Sequence, residues 1–196
     1  VRKEIDLNIR SVVQIFNLAA IHREPGHEPS EYFETNIMGA ENVIRFAKKV
    51  DCKNIVFTSS IAPYGHAVSS KDENSLPVPY SPYGSSKLIA EKIHEGWQSG
   101  GKERRLVVVR PGVIFGPHED GNVPRLKEAL RKNLFCYVGN RGIRKSGGYV
   151  KELVHSMFWV LDRSQNERPR RLLYNFSFQN PPSIEEYVQA IKLTLE

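Results

Sequence analysis

Apolar positions along the chain fall into two kinds of pattern. Val12-Val13-Gln14-Ile15-Phe16-Asn17-Leu18, the Ile55-Val56-Phe57 run inside Lys53–Thr58, and Leu106-Val107-Val108-Val109 between Arg105 and Arg110 are nearly continuous. Runs of that length, rich in β-branched residues, predict strands of a parallel sheet buried on both faces. Between them the spacing turns helical. Phe33, Ile37, Val43, Ile44 and Ala47 fit a helix over 30–50 with Ser30 as its N-cap, and Leu88, Ile89, Ile93 and Trp97 fit another. Ser81-Pro82 supplies that second helix with a cap and a first residue, and Ser99-Gly100-Gly101 ends it.

Beyond Gly116-Pro117 the pattern breaks into shorter pieces. A helix is predicted near 123–132, a strand near 135–138, a glycine-rich turn over 139–148, an apolar helix over 153–161 and a strand over 172–177. Ser183-Ile184-Glu185-Glu186 reads as a capping box opening a last helix. No internal repeat is visible.

Composition narrows the class without choosing a function. A chain of 196 residues with 40% hydrophobic and 26% charged content can bury a sizeable core, and it predicts a folded, soluble chain. The net charge of +6 comes from scattered basic residues without interleaved aromatics, which speaks against nucleic acid and suits a phosphate-bearing ligand. The local cluster Arg168-Pro169-Arg170-Arg171 reads as a solvated loop. Cys52 and Cys136 offer neither a disulfide framework nor a metal-ligand pattern, so both read as buried thiols in a reducing compartment. With no membrane-length apolar run and no signal peptide, the expected location is the cytoplasm.

Candidate chemistry concentrates between Thr58 and Lys87. Tyr83 and Lys87 are four apart, so on a helix they share one face. An ammonium beside a phenol favours the phenolate, which suits the tyrosine to accept and return a proton. A serine at the end of the preceding strand, in Thr58-Ser59-Ser60-Ile61-Ala62-Pro63-Tyr64-Gly65, can hydrogen-bond the same substrate oxygen.

These linked motifs resemble the extended short-chain dehydrogenase/reductase family, in its NAD-dependent epimerase/dehydratase branch. The resemblance covers nearly the whole chain and implies an α/β fold with a Rossmann-like doubly wound parallel sheet and a smaller C-terminal substrate-binding part. It implies a partial dinucleotide-binding domain over 1–117 and a mainly substrate-binding part over 118–196, some of whose segments return to the sheet. Ser60, Tyr83 and Lys87 take the catalytic positions, and Asn36, in Asn36-Ile37-Met38-Gly39-Ala40-Glu41-Asn42, takes that of an asparagine supporting the lysine and a water-linked proton path. NAD or NADP would lie against Leu18, Ala19, Ala20, Thr58, Tyr83, Lys87, Pro111 and Val113. Substrate contacts fall on Ser60, Ala62, Asn122 and a phosphate-facing Arg144 or Lys145.

Two departures matter: Val113 stands where many sugar-nucleotide enzymes have asparagine, and Lys151 where the family usually has an acidic residue. A sugar dehydratase would need an Asp-Glu pair at Ile61-Ala62, which disfavours that subtype. The Gly-x-x-Gly-x-x-Gly turn has no match, nor has the residue that chooses NAD or NADP, so a longer native chain is expected.

Three readings stay open at this level. The leading one is an NAD(P)-dependent epimerase or ketoreductase of a nucleotide sugar. The second is a dehydrogenase or reductase of a hydroxysteroid-like or other small alcohol, which the apolar Val113 favours. The third is a non-catalytic binding module, against which the intact Ser60, Tyr83 and Lys87 speak. The expected partners are a small-molecule substrate and a second copy of the chain, packed through the helices at 30–50 and 82–98, with no nucleic acid and no membrane. Burial of those helix faces within one monomer fits the same apolar positions.

Overall fold

A computed structural model describes residues 2–23, 26–66, 69–119, 121–164 and 170–195. Two units emerge, one of residues 1–110 and 157–175 and the other of residues 111–156 and 176–196.

The first unit is organised by a sheet of order β1-β2-β3-β6, formed by Ile15–Asn17, Asn54–Thr58, Arg105–Pro111 and Arg171–Phe176. Strands β1, β2 and β3 pair in parallel, with Ile55 opposite Ile15 on one side and Leu106 on the other. Val107, Val108 and Val109 are buried on both faces of β3, as a central parallel strand requires, and each such side chain contributes about 1.5–3 kcal/mol by leaving water. The core joins β2 and β3 to Ala40, Ile44 and Ala47 of helix α2 (Met38–Lys49) and to Ala90 and Trp97 of helix α3 (Pro82–Ser99).

The helical segment at 30–50 is not one uniform helix. A short turn α1 (Pro29–Tyr32) leads into a π-helical turn at Phe33–Ile37 and then into α2. Its N-cap is Glu28 rather than Ser30, because Pro29 fills the first helical position and Glu31 closes a capping box back onto the Glu28 N–H at 3.0 Å. Helix α3 begins as its sequence predicts, with the Ser81 hydroxyl accepting from the Gly84 N–H at 3.1 Å.

The second unit holds a two-stranded parallel ladder of β4 (Val113–Phe115) and β5 (Gly147–Tyr149), helix α4 (Asn122–Arg131) and helix α6 (Ile184–Lys192). Helix α5 (Val150–Ser164) runs from this unit into the first. Ser183 and Glu186 form the expected capping box. The strand predicted at 135–138 is absent. Phe135 and Tyr137 instead pack edge to face on each other, with centroids 5.0 Å apart, and the Arg141 guanidinium covers Tyr137, so the aromatic pair is satisfied without a neighbouring strand. Cys52 is buried, whereas Cys136 in this segment is exposed, contrary to the expectation of two buried thiols. Arg168 and Pro169 lie outside the described residues; Arg170 is exposed and Arg171 pairs with Glu95 at 2.6 Å. Among the described residues no helix is long and apolar enough to cross a membrane.

Candidate active site at the strand ends

Helix α3 lies against the carboxyl ends of the parallel strands and carries a buried polar stripe at 87, 91 and 94, the spacing of one helix face. Each member holds the end of a strand. The Lys87 ammonium donates to the Thr58 carbonyl, the last residue of β2, at 2.7 Å. Glu91 accepts both arms of Arg110 near the end of β3, Nε at 2.9 Å and Nη2 at 2.6 Å, and it also accepts the Ser59 hydroxyl. The His94 ring stands 3.2 Å from the Asn17 amide at the end of β1, and its Nδ1 is 2.7 Å from the Ala90 carbonyl. A carbonyl only accepts, so Nδ1 carries the proton and Nε2 accepts from Asn17.

Electrostatics follow from this burial. Lys87 is 2% exposed, and loss of water pushes its ammonium down to about 8, with the Glu91 charge opposing the fall. His94 is held near 4 by burial, with the Ala90 carbonyl opposing and the Lys87 charge assisting. For Arg110, burial works against the charge, but the hydrogen bonds and charge of Glu91, with Tyr64 adding to them, keep it above the ordinary guanidinium value. The guanidinium also lies over the Tyr64 ring, 4.6 Å from its centroid.

Tyr83 sits in the first turn of α3, one residue before Gly84, which lies close against the Ala62–Tyr64 turn. Gly84 makes this approach possible, because a Cβ there would fall 2.7 Å from the Ala62 carbonyl oxygen. Ser60 lies just before this turn, and its hydroxyl oxygen accepts the Ala62 N–H at 3.1 Å, leaving the O–H as the donor it can offer. The Tyr83 ring faces that of Tyr32 at 6.1 Å between centroids. Asn36, buried in the π-turn, clamps the backbone of Ile21 through both its amide atoms, at 2.9 and 3.1 Å, and donates to the Ser86 hydroxyl at 2.9 Å. It therefore fixes the chain just beyond Leu18-Ala19-Ala20 and touches the residue preceding Lys87, while the ammonium itself bonds to Thr58.

The surroundings of Thr58 bear on whether a dinucleotide fits. Its hydroxyl is buried without a hydrogen-bond partner, and buried polar atoms of that kind call for one. Leu18, 59% exposed, and the exposed Ala19 follow β1 at the same end of the sheet. Small and apolar residues beside an unsatisfied hydroxyl fit a flat ligand carrying polar edges.

The other predicted contacts belong to the second unit. Pro111 is buried as the last residue of β3, and Val113 opens β4 opposite Gly147. Asn122 is exposed at the first position of α4. The Arg144 guanidinium, though exposed, donates to the Pro181 carbonyl at 2.6 Å and lies 3.9 Å from Glu186, so it is engaged at the start of α6; Lys145 is exposed as well. A cavity of about 420 Å³ between α4 and α6 is lined by Phe115, Val123, Phe178, Tyr187 and Ile191, and contains none of the predicted site residues. Among the described residues no cluster suited to a metal ion occurs.

Glu91, Arg110, Ser59, His94 and Asn17 are absent from the sequence-based list of site residues. For Glu91 the signal was present, since it continues the four-residue spacing of Tyr83 and Lys87 along the same face.

A parallel sheet whose strand ends are gripped by a Tyr-x-x-x-Lys helix defines a Rossmann-like protein of the extended short-chain dehydrogenase/reductase type. The model of the NAD dependent epimerase/dehydratase family matches residues 5–175, and the chain belongs to that family. It is 34% identical over 179 residues to N-acetyl-alpha-D-glucosaminyl-diphospho-ditrans,octacis-undecaprenol 4-epimerase of Escherichia coli O157:H7, an alignment covering 91% of this chain and 53% of that protein. It is 30% identical over 129 residues to UDP-glucose 4-epimerase 3 of Oryza sativa subsp. japonica, covering 65% of this chain and 34% of that one. A solved UDP-galactose 4-epimerase shares the fold, with TM-score 0.82 and 23% identity over 94% of this chain and 62% of its own. MoeE5 in complex with UDP-glucose and NAD superposes with TM-score 0.77 and 25% identity, covering 93% and 62% respectively. The chain thus spans about half the length of the first of these relatives.

Proposed function

We propose that these residues form the catalytic part of an NAD-dependent sugar 4-epimerase whose substrate carries its sugar on a diphosphate. The observation that carries the reading is Lys87, buried, bonded to Thr58 at a parallel strand end and one helical turn beyond Tyr83. In this reading residues 1–117 mainly serve the dinucleotide and residues 118–196 mainly the substrate.

NAD, when bound, supplies the hydride acceptor and donor. The Tyr83 oxygen takes the proton of the sugar hydroxyl and later returns it, the Lys87 charge favours the phenolate during that exchange, and the Ser60 O–H donates to the same sugar oxygen. Asn36 holds Ile21 and Ser86, and with them the chain after Leu18-Ala19-Ala20 and the base of Lys87. Thr58, Pro111 and Val113 complete the dinucleotide side. Ala62 and Asn122 meet the substrate, and of the two exposed cations Lys145 is the one to meet a phosphate, since Arg144 is tied to the Pro181 carbonyl and lies beside Glu186.

Two carriers are compatible with this chemistry. UDP is the carrier named for the relative from Oryza sativa subsp. japonica, whereas the relative from Escherichia coli O157:H7, matching 91% of this chain, is named for a diphospho-undecaprenol sugar. Val113, apolar where nucleotide-sugar enzymes often have asparagine, favours the second. The test is to incubate the intact protein with UDP-N-acetylglucosamine and, separately, with a short-chain polyprenyl-diphosphate N-acetylglucosamine, and to follow the 4-epimer by chromatography. Turnover of either that falls about 10²–10⁴-fold in Tyr83→Phe supports the reading. Absence of turnover with both, from protein shown to hold NAD, overturns it.

A further inference from the structure

We propose that Glu91 is a positioning residue of the Tyr83–Lys87 site, a buried carboxylate that ties the Ser59–Ser60 strand end and Arg110 to α3 and gives Lys87 its counter-charge. An ion pair that only held the fold together would need no more than Arg110, whose two nitrogens already bracket the carboxylate. Glu91 does more, since its Oε1 also receives the Ser59 hydroxyl. Ser59 adjoins Ser60, so the carboxylate sets the position of Ser60 through a single peptide unit.

Lys87 is one turn before Glu91 on the same face. The other groups facing it are His94 on α3, the Thr58 carbonyl, and the Phe57 ring, whose centroid is 4.4 Å from the ammonium, with Tyr83 one helical turn before it on the same face. From β3 the charge of Arg110 is met by Glu91, and from the π-turn Asn36 reaches only the neighbouring Ser86. His94 is neutral, with its Nε2 accepting from Asn17, which leaves Glu91 as the anion available to Lys87 among the groups that face it. Burying a carboxylate is costly unless it is fully paired, and here both oxygens are used.

The proposal rests on reading Tyr83 and Lys87 as the proton-transfer pair, but its test does not depend on turnover. The intact protein is labelled with ¹³C at lysine Cε, the Lys87 signal is assigned by its loss in Lys87→Met, and its titration is followed by NMR. The wild-type midpoint is expected near 8. In Glu91→Gln it falls by about one pH unit, because the opposite charge is gone. Glu91→Gln strands the Arg110 charge and can lose the fold, so Glu91→Gln/Arg110→Met, which removes both charges, is measured beside it and shows a smaller fall in the same direction, because losing the Arg110 cation partly offsets losing the anion. Glu91→Asp keeps the charge, and its midpoint stays near the wild-type value while the shorter arm releases Ser59. Where turnover is measurable, the alkaline limb of the kcat profile moves with the NMR midpoint. A Lys87 midpoint that is unchanged in the double variant, or that falls equally in Glu91→Asp, overturns the proposal. A shifted midpoint in a protein without epimerase activity would overturn the proposed function and leave the role of Glu91 standing.

Discussion

Replacing Lys87 by methionine is expected to make the protein more stable at neutral pH while abolishing its activity. Burial holds the ammonium near 8 against an ordinary 10.5, so in the fold the protonated form is disfavoured. At about 1.4 kcal/mol per pH unit, the gap represents about 3 kcal/mol carried by the native state wherever Lys87 is charged. Methionine fills a similar volume without that charge, but it leaves the Thr58 carbonyl without its donor, at a cost of about 1–2 kcal/mol. The net gain at pH 7 is then about 1–2 kcal/mol.

The pH dependence gives this prediction its test. Between pH 8 and 10.5 the unfolded chain binds the Lys87 proton more than the native protein does, so wild-type stability rises with pH across that window. Lys87→Met lacks this contribution, its advantage shrinks above pH 8, and by pH 10 the wild type is the more stable. Urea unfolding of both proteins at pH 7 and pH 10, compared as a difference, cancels the titrating groups that Lys87 does not influence. A difference that does not change with pH, or that moves the opposite way, would refute the argument that the site keeps a charged lysine at the expense of stability.

Acid behaviour follows from His94 by the same linkage with the window moved. Its native value near 4 lies below the ordinary 6.5, so stability is lost as pH falls from 6.5 towards 4, and the wild-type minus His94→Gln difference in urea midpoint should show that loss. Gly84→Ala forces a Cβ to within 2.7 Å of the Ala62 carbonyl oxygen, and should cost about 1–3 kcal/mol in thermal unfolding together with a drop in kcat. Ser81→Ala removes the cap of α3 and should cost about 1 kcal/mol, whereas Ser81→Gly should cost only about a few tenths, read from denaturant midpoints.

Much of the first unit was legible before the structure. Two apolar runs specify β2 and β3 because a strand covered on both faces has no polar positions to confuse the period. Of the run at 12–18, by contrast, only Ile15–Asn17 forms β1, with Ile15 and Phe16 half-buried and Val13 and Leu18 exposed, contrary to the expectation of a buried strand. Ser81-Pro82 announces α3 because a hydroxyl cap and a proline first residue have little other joint use. Phe135 to Val138 misled because alternating aromatics satisfy a strand pattern, yet Phe135 and Tyr137 found their partners in each other and in Arg141. The polar stripe on α3 was missed for a related reason. Glu91 reads as one more charge on an amphipathic helix, and Arg110 as a strand terminus, until folding brings them within 2.6 Å. Sequence reports which residues are charged, but only the packed structure reports which charges have left water.

The π-turn at Phe33–Ile37 has a consequence for how this region tolerates change in length. A π-turn accommodates an extra residue within an otherwise α-helical path, and here the widened turn sets Tyr32 against Tyr83 and Asn36 against Ser86. Deleting one residue between 33 and 35 would tighten the coil to ordinary α-geometry and leave the face of α2 that carries Ala40, Ile44 and Ala47 undisturbed. Because the wide turn is what absorbs the extra residue, the segments on either side keep their register and Tyr32 stays against Tyr83, while the deletion falls on the turn that aims Asn36 at Ile21 and Ser86. The segment thus behaves as an expansion joint, in which one residue of length is taken up locally between the Tyr32 turn and the core face of α2.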